Sequence, residues 1–353
     1  MTLLLDSWYC AGWSDELTDT PQRIKIANQD LVLFRDTSGA AIALSNRCPH
    51  RFASLAEGKV VGDTIECPYH GLRFDRTGAC VLNPHGRGVI PPNAKVDTTI
   101  LVEKHGALWV WLGNPELADP STIVNVSFVN DPRYVAVKGV IHVKGNYQLL
   151  NDNLLDLTHA AYIHPTTVGL SRDDSVGPDQ MDYDFKTEGN IVHSNYGFYD
   201  VPPTAQFRRF FKKERGDLYV HVTWVPASSI LLDLSMSELG VPKGEIDEPH
   251  DRVCMIPAAH LIVPETDETS HYFYAMCRHV DIEDAEGCAE TRALGLKTFS
   301  QEDAPMVERV QELMATDDLF ALRPAILETD IAGVQARRIL ARLVAQQSES
   351  KAA

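Results

Sequence analysis

At 353 residues the chain is longer than a single hydrophobic core usually organises, so two domains are expected. With 44% apolar and 23% charged residues it excludes a disordered or fibrous class. The net charge of -17, from 49 acidic and 32 basic residues, excludes a nucleic-acid surface, which needs clustered Lys and Arg to displace counterions. The early apolar run at 3–5 has no basic flank and ends at Asp6, and no stretch approaches the roughly 20 apolar residues of a membrane span. A cytoplasmic protein with neither nucleic-acid nor membrane partners is expected. Seven cysteines, an odd number spread along the chain, argue against a disulfide framework. Cys10, Cys80, Cys254, Cys277 and Cys288 read as small buried hydrophobes.

From 31 to 112 the chain reads as short strands at 31–35, 41–44, 64–66, 72–74 and 107–112. Turn formers separate them: Asp36-Thr37-Ser38-Gly39, Val61-Gly62-Asp63 and Asp75-Arg76-Thr77-Gly78. This spacing predicts a small antiparallel β-domain. Turn residues and charges from Gly113 to Pro120 break the pattern, which puts a boundary between 1–116 and 117–353. The second segment alternates strand-like runs (134–143, 191–199, 218–225, 260–263, 271–276) with helical ones (149–162, 302–314, 329–344), an α+β pattern without internal repeats.

Two short segments carry metal chemistry. Cys48-Pro49-His50-Arg51 and, after the sixteen residues 51–66, Cys67-Pro68-Tyr69-His70-Gly71 each supply one thiolate and one imidazole. Such a two-plus-two set suits zinc or a 2Fe–2S cluster in which two His replace two Cys on one iron. Zinc sites usually pair Cys with Cys and His with His, so the mixed pairs favour the cluster. Further on, Asp156-Leu157-Thr158-His159 to His164-Pro165 closes a helical stretch. Its two histidines, five apart, converge on one ion only if the helix loosens before the proline. A carboxylate from elsewhere would complete a two-His, one-carboxylate triad with the open positions that oxygen activation at iron requires.

Cys-Pro-His-Arg with Cys-Pro-Tyr-His-Gly resembles the Rieske motif of ring-hydroxylating and demethylating oxygenases, and the Asp-x-x-His-x-x-x-x-His run resembles their mononuclear iron signature. The resemblance implies an N-terminal all-β Rieske domain, then an α+β catalytic domain of helix-grip type, an antiparallel sheet with helices. It implies a 2Fe–2S cluster on Cys48, His50, Cys67 and His70, and Fe(II) on His159, His164 and a late acid, for which Asp303 in Phe299-Ser300-Gln301-Glu302-Asp303 is the choice and Glu302 the rival. It further implies that Asp156 bridges to His70 of the partner subunit in a head-to-tail homotrimer, and that Asn153 lies beside the iron.

The resemblance covers nearly the whole chain and is nearest to the vanillate and dicamba O-demethylase branch, through Asn83-Pro84-His85-Gly86, Lys144-Gly145-Asn146-Tyr147-Gln148 and the run from His260 to Thr266. Toluenesulfonate methyl-monooxygenases belong to the same branch. It implies O2-dependent O-demethylation or hydroxylation of a small aromatic substrate, with His260 receiving a carboxylate or sulfonate. Leu294 stands where the dicamba enzyme has a ring-stacking Trp, so a different ring pocket is expected. No Gly-x-Gly-x-x-Gly follows a strand, so electrons from NADH are expected through a separate reductase or ferredoxin. Ring dihydroxylation and methyl hydroxylation at the same iron are the enzymatic alternatives. A Rieske electron carrier without catalysis is the remote one.

Overall fold

The computed structural model describes residues 3–170, 181–227, 229–243 and 250–352. The chain divides into two compact units, the first spanning Leu5–Ile123 and the second Val124–Ala353. Residues 115–122 form two 3-10 turns capped by the Asn114 and Asp119 side chains. They belong to the first unit because the indoles of Trp111 and Trp8 donate to Asn114 O at 2.8 Å and Asp119 O at 2.9 Å.

The first unit is built from three small antiparallel sheets. Its tight turns have a common chemistry. Asp36 Oδ1 accepts from the backbone of Ser38 and Ala40, Asp75 Oδ1 from that of Thr77 and Ala79, and Gly39 and Gly78 close the turns at φ 83° and 75°. At Gly78 any side chain is barred outright, since a Cβ would lie 1.9 Å from Val96 O. Two of the sheets enclose a core of Val32, Phe34, Leu44, Leu55, Ile65 and Phe74, and Cys48 and Cys67 sit inside it.

The second unit is one seven-stranded antiparallel sheet in the order Val135–Val143, Ser270–Arg278, Val253–Pro264, Ser229–Ser237, Gly216–Val225, Ile191–Val201 and Met181–Glu188. Along these strands every second residue faces the helices: Leu218 and Val220, Leu232 and Leu234, Ile256, Ala258 and His260. The helices are α1 (Tyr147–Leu155), α2 (Ala160–Ile163), α3 (Ala205–Arg208), α4 (Ala285–Leu296), α5 (Ala304–Met314) and α6 (Ile331–Ala352). Among the described residues none is long and apolar enough to cross a membrane. The seven cysteines form no disulfide and are buried except for half-buried Cys288.

Lys144-Gly145-Asn146-Tyr147-Gln148 proves to be a structural fastening. Asn146 caps α1 by accepting from Gln148 N at 3.0 Å, while its own amide donates to Asp267 O and its backbone N–H to Gln311 of α5. Gly145 lets α5 approach, because a Cβ there would meet Val307 Cγ1 at 2.8 Å. At the other side, buried Arg337 of α6 grips Asp152 of α1 through three contacts of 2.6–2.9 Å. The helix that carries Asn153 is therefore held on two sides.

Candidate metal centres

The two Rieske-type loops have the same backbone plan. Phe52 N donates to Cys48 O and Gly71 N to Cys67 O, both at 3.0 Å, each closing a five-residue turn. The cysteine N–H groups then bond back to Ala53 O and Leu72 O. The closing residue is left-handed in both, at φ 60° for Phe52 and 69° for Gly71, and Phe52 adopts a backbone that non-glycine residues rarely take. The Arg47 guanidinium lies over its ring at 4.4 Å. Folded this way, the loops bury both cysteines and leave the imidazoles of His50 and His70 at the rim, ring centroids 4.5 Å apart. Burial, reinforced by the facing Cys67 thiol, pushes the Cys48 thiol up to about 11, although the N–H groups of His50 and Arg51 point at its sulfur. A thiolate at such a place needs a cation. Two enclosed sulfurs beneath two rim imidazoles fit a 2Fe–2S cluster held by two Cys and two His.

The second centre departs from the expected continuous helix. α1 stops at Leu155, Asp156 turns into extended backbone, and His159 ends a 3-10 turn (Leu157–His159), with α2 following and His164 just beyond it. Tyr196 stabilises the break from the sheet: its hydroxyl donates to Leu155 O at 3.1 Å and accepts from Leu157 N at 3.2 Å, replacing bonds the interrupted helix lacks. Breaking the helix ahead of both histidines is what lets residues five apart converge. Removing the hydroxyl in Tyr196→Phe is expected to cost roughly 1 kcal/mol in denaturant unfolding, since it leaves the Leu157 N–H without this acceptor while Leu155 O keeps Ser194 Oγ at 3.3 Å.

Asp303 reaches the same point by another irregularity. Lys297–Asp303 is a π-helical turn between α4 and α5, with Ala304 N bonding back to Phe299 O. Its wide winding turns Thr298, Phe299 and Asp303 inward together. Asp303 Oδ1 lies 3.0 Å from His164 Nε2 and 3.6 Å from His159 Nε2, and donor atoms of the three residues lie within 4.8 Å of one another. The opposite ring nitrogens are already engaged, His159 Nδ1 with Asp156 O at 2.6 Å and His164 Nδ1 with Glu302 Oε2 at 2.8 Å. Both Nε2 atoms are thereby aimed at Asp303. Asn153 Nδ2 donates to Asp303 Oδ1 at 3.1 Å.

Electrostatics agrees with a cation there. Burial lowers the His159 pKa, favouring the neutral, ligating ring. Burial would lower His164 as well, but the Asp303 and Glu302 carboxylates outweigh it and draw the ring toward protonation. Two acids around buried imidazoles are an excess of negative charge that a divalent ion would neutralise. The donor set, two imidazoles and one carboxylate, fits mononuclear iron with open positions.

A cavity of about 440 Å³ opens against this triad. His159, His164 and Asp303 form part of its wall, with Leu218, Leu232, Ile256, Met276 and Phe299 supplying an apolar surface. His260 also lines it, buried on Val253–Pro264. Leu294 does not: it is half-exposed on α4, one residue from Gly295, whose missing side chain makes room for Tyr274 and Met276. From within the π turn, Phe299 contributes to the aromatic wall, alongside Tyr196 and Phe198 of the sheet. Asp156 sits between α1 and the 3-10 turn, its Oδ1 accepting from Thr158 N and Oγ1 and its Oδ2 from Thr329 Oγ1 at 3.2 Å. The expected rival ligand Glu302 faces the back of His164, away from Asp303's position between the two Nε2 atoms.

Residues 7–93 match the Rieske [2Fe-2S] domain, and residues 143–346 match the vanillate O-demethylase oxygenase C-terminal domain. The chain belongs to this family of Rieske oxygenases. The oxygenase component of dicamba O-demethylase from Stenotrophomonas maltophilia is 33% identical over 351 residues, covering 97% of this chain and 98% of its own. That of chloroacetanilide N-alkylformylase from Rhizorhabdus wittichii is 34% identical over 341 residues, covering 96% and 94%. The crystal structure of dicamba monooxygenase with non-haem iron and dicamba superposes with a TM-score of 0.83 at 29% identity, covering 99% of this chain and 100% of that one. The oxygenase accordingly works with a Rieske 2Fe–2S cluster and a mononuclear non-haem iron.

Proposed function

We propose that this oxygenase removes a methyl or larger alkyl group from the oxygen or nitrogen of a small aromatic substrate. For a methoxy group the balance is R–O–CH3 + O2 + 2 e⁻ + 2 H⁺ → R–OH + CH2O + H2O. The observation that carries this reading is the convergence of His159, His164 and Asp303 on the wall of an apolar cavity large enough for one aromatic ring with substituents. The names of the relatives, an O-demethylase and an N-alkylformylase, support dealkylation over ring dihydroxylation. Electrons would come from NADH through a separate reductase or ferredoxin, as the designation of both relatives as oxygenase components supports. A cytoplasmic location suits that supply.

In this reading Cys48, Cys67, His50 and His70 hold the cluster, and His159, His164 and Asp303 hold the iron. When bound, the cluster supplies single electrons and the iron a site for oxygen activation. The chain's own residues do the rest. Asn153 fixes Asp303, the Asp156 carbonyl fixes the His159 ring, and the apolar wall excludes water and presses the substrate against the triad. Asp156 Oδ2, which has one hydroxyl partner, keeps acceptor capacity for an imidazole N–H such as that of His70 of the partner subunit. A head-to-tail homotrimer would bring the two together.

Screening methoxylated and N-alkylated aromatics with a surrogate reductase tests the reaction. Formaldehyde or a larger aldehyde in step with oxygen uptake is expected; a hydroxylated product with the alkyl group retained would replace dealkylation by hydroxylation. A second expectation concerns Glu302. Burial pushes its carboxyl up, but hydrogen bonds from Thr167 and the His164 ring outweigh this and hold it below the usual range, as a charged acceptor. Glu302→Leu should weaken iron binding about 10–100-fold with an unchanged cluster spectrum, and Glu302→Gln, still an acceptor, should restore most of it. Equal iron affinity in all three proteins would remove Glu302 from the site.

A further inference from the structure

The face of the catalytic sheet turned away from the triad carries a further group of ligating side chains. Tyr196 and Phe198 of the strand Ile191–Val201, and Leu218 and Val220 of Gly216–Val225, line the cavity. Alternation therefore sends His193, His221 and Thr223 to the opposite face. In the antiparallel register His193 stands across from Thr223, and His221, two residues before Thr223, is its diagonal neighbour. Their donor atoms form a triangle. His193 Nδ1 lies 3.1 Å from His221 Nε2 and 3.1 Å from Thr223 Oγ1, and the last two are 3.5 Å apart.

Those separations suit donors that share one small ion. Two nitrogens bound at about 2.0–2.1 Å, and subtending an angle between a right angle and a tetrahedral one, stand about 2.9–3.4 Å apart. Hydrogen bonding alone serves the group less well. The facing nitrogens can share one proton, and whichever ring supplies it, His193 Nε2 is left buried with no hydrogen-bond partner among the described residues. Glu188 Oε2 stands 3.8 Å from that nitrogen, just beyond hydrogen-bond reach. A metal on Nδ1 would make the Nε2 proton a stronger donor and draw the exposed carboxylate onto it, the usual backing of a ligating imidazole.

Charge permits an ion there. Burial lowers the pKa of both rings, that of His221 to about 4, so both are neutral and keep a lone pair for a metal. The nearby cations are compensated: Lys186 pairs with Glu188 through its other oxygen at 2.7 Å, and Lys243 with Asp233 at 3.4 Å. Asp184 adds a negative charge within electrostatic reach of His221. Two imidazoles and a hydroxyl are a poor match for calcium or magnesium, which take oxygen ligands, and a good one for a late divalent transition ion.

We propose that His193, His221 and Thr223 form a third metal site, which holds a late divalent transition ion such as zinc and so clamps together two strands that wall the cavity. The site is structural, lies on the far side of the sheet from the triad, and does not depend on the oxygenase reading above.

Zinc itself is the probe, added to the iron-loaded enzyme under argon, with bound metal measured by equilibrium dialysis and affinity by competition with a chromophoric chelator. Uptake of about one zinc per chain is expected, with micromolar affinity and iron content unchanged. His193→Gln and His221→Gln should each weaken it at least about a hundredfold, and Glu188→Gln about tenfold, as loss of a backing carboxylate does. Zinc should also slow amide hydrogen exchange along Ile191–Val201 and Gly216–Val225 in the wild type and not in the two histidine variants. Zinc taken up only as iron leaves, or affinity unchanged in both histidine variants, would overturn the proposal. So would unaltered exchange in the zinc-bound wild type. Should a glutamine variant fail to fold, the exchange comparison on the wild-type enzyme with and without zinc decides by itself.

Discussion

His159→Ala protein is expected to keep the visible spectrum of its Rieske cluster and to lose both the mononuclear iron and all reductase-driven oxygen uptake. The reason is geometric. The triad has three donors, and His159 supplies one of them, its ring fixed by the Asp156 O at 2.6 Å. His164 and Asp303 alone would hold a divalent ion far more weakly and leave it exposed to buffer. The cluster ligands lie in a different compact unit with its own core, so their spectrum should not respond. Iron analysis and oxygen uptake on the same preparation check both halves. Retained activity would mean that the triad is wrongly assigned.

Asp156→Asn is the second large effect and has the opposite pattern: full metal content with turnover slowed by about 100-fold. Asparagine can still accept from Thr158 through its side-chain oxygen, and the backbone carbonyl that orients His159 is untouched, so the site should stay assembled. What the amide cannot do is accept a hydrogen bond at the position of Oδ2 in the same sense, because its nitrogen is a donor. If that oxygen receives the ring N–H of His70 of the partner subunit, the variant breaks the contact between the two metal-holding segments of different copies. The reductase should still bleach the cluster at the normal rate. Wild-type turnover in the variant, or a monomeric enzyme of full activity in sedimentation, would remove the bridge and the trimer with it.

The parts of this site that are legible in the sequence are those whose residues lie close together along it. Each cluster loop packs a Cys and a His into one five-residue turn, and the two turns turn out to share one hydrogen-bonding plan. His159 and His164 are near neighbours too. What holds them is distant: Glu302 lies 138 residues from His164, and Tyr196 lies 41 residues from the Leu155 carbonyl it caps. Periodicity from 149 to 162 reads as one helix because nothing local announces the break; the bonds that make it affordable come from another strand. The π turn at Lys297–Asp303 is hidden for a similar reason; the resemblance points to Leu294 for the ring pocket, whereas the buried residues here are Gly295, Thr298 and Phe299. Five of the seven strands of the catalytic sheet are legible in the sequence, Met181–Glu188 and Ser229–Ser237 being missed, and Val253–Pro264, buried at all positions, is legible only at 260–263.

The central claim is that one chain holds two separate iron centres, a cluster between two loops and a single ion on a triad. Elemental analysis of the purified, anaerobically reconstituted enzyme tests it directly. The account predicts about three irons and about two acid-labile sulfides per chain, two irons from the cluster and one from the triad. Zinc in place of the paired irons, or about two irons with none lost on His159→Ala, would contradict it.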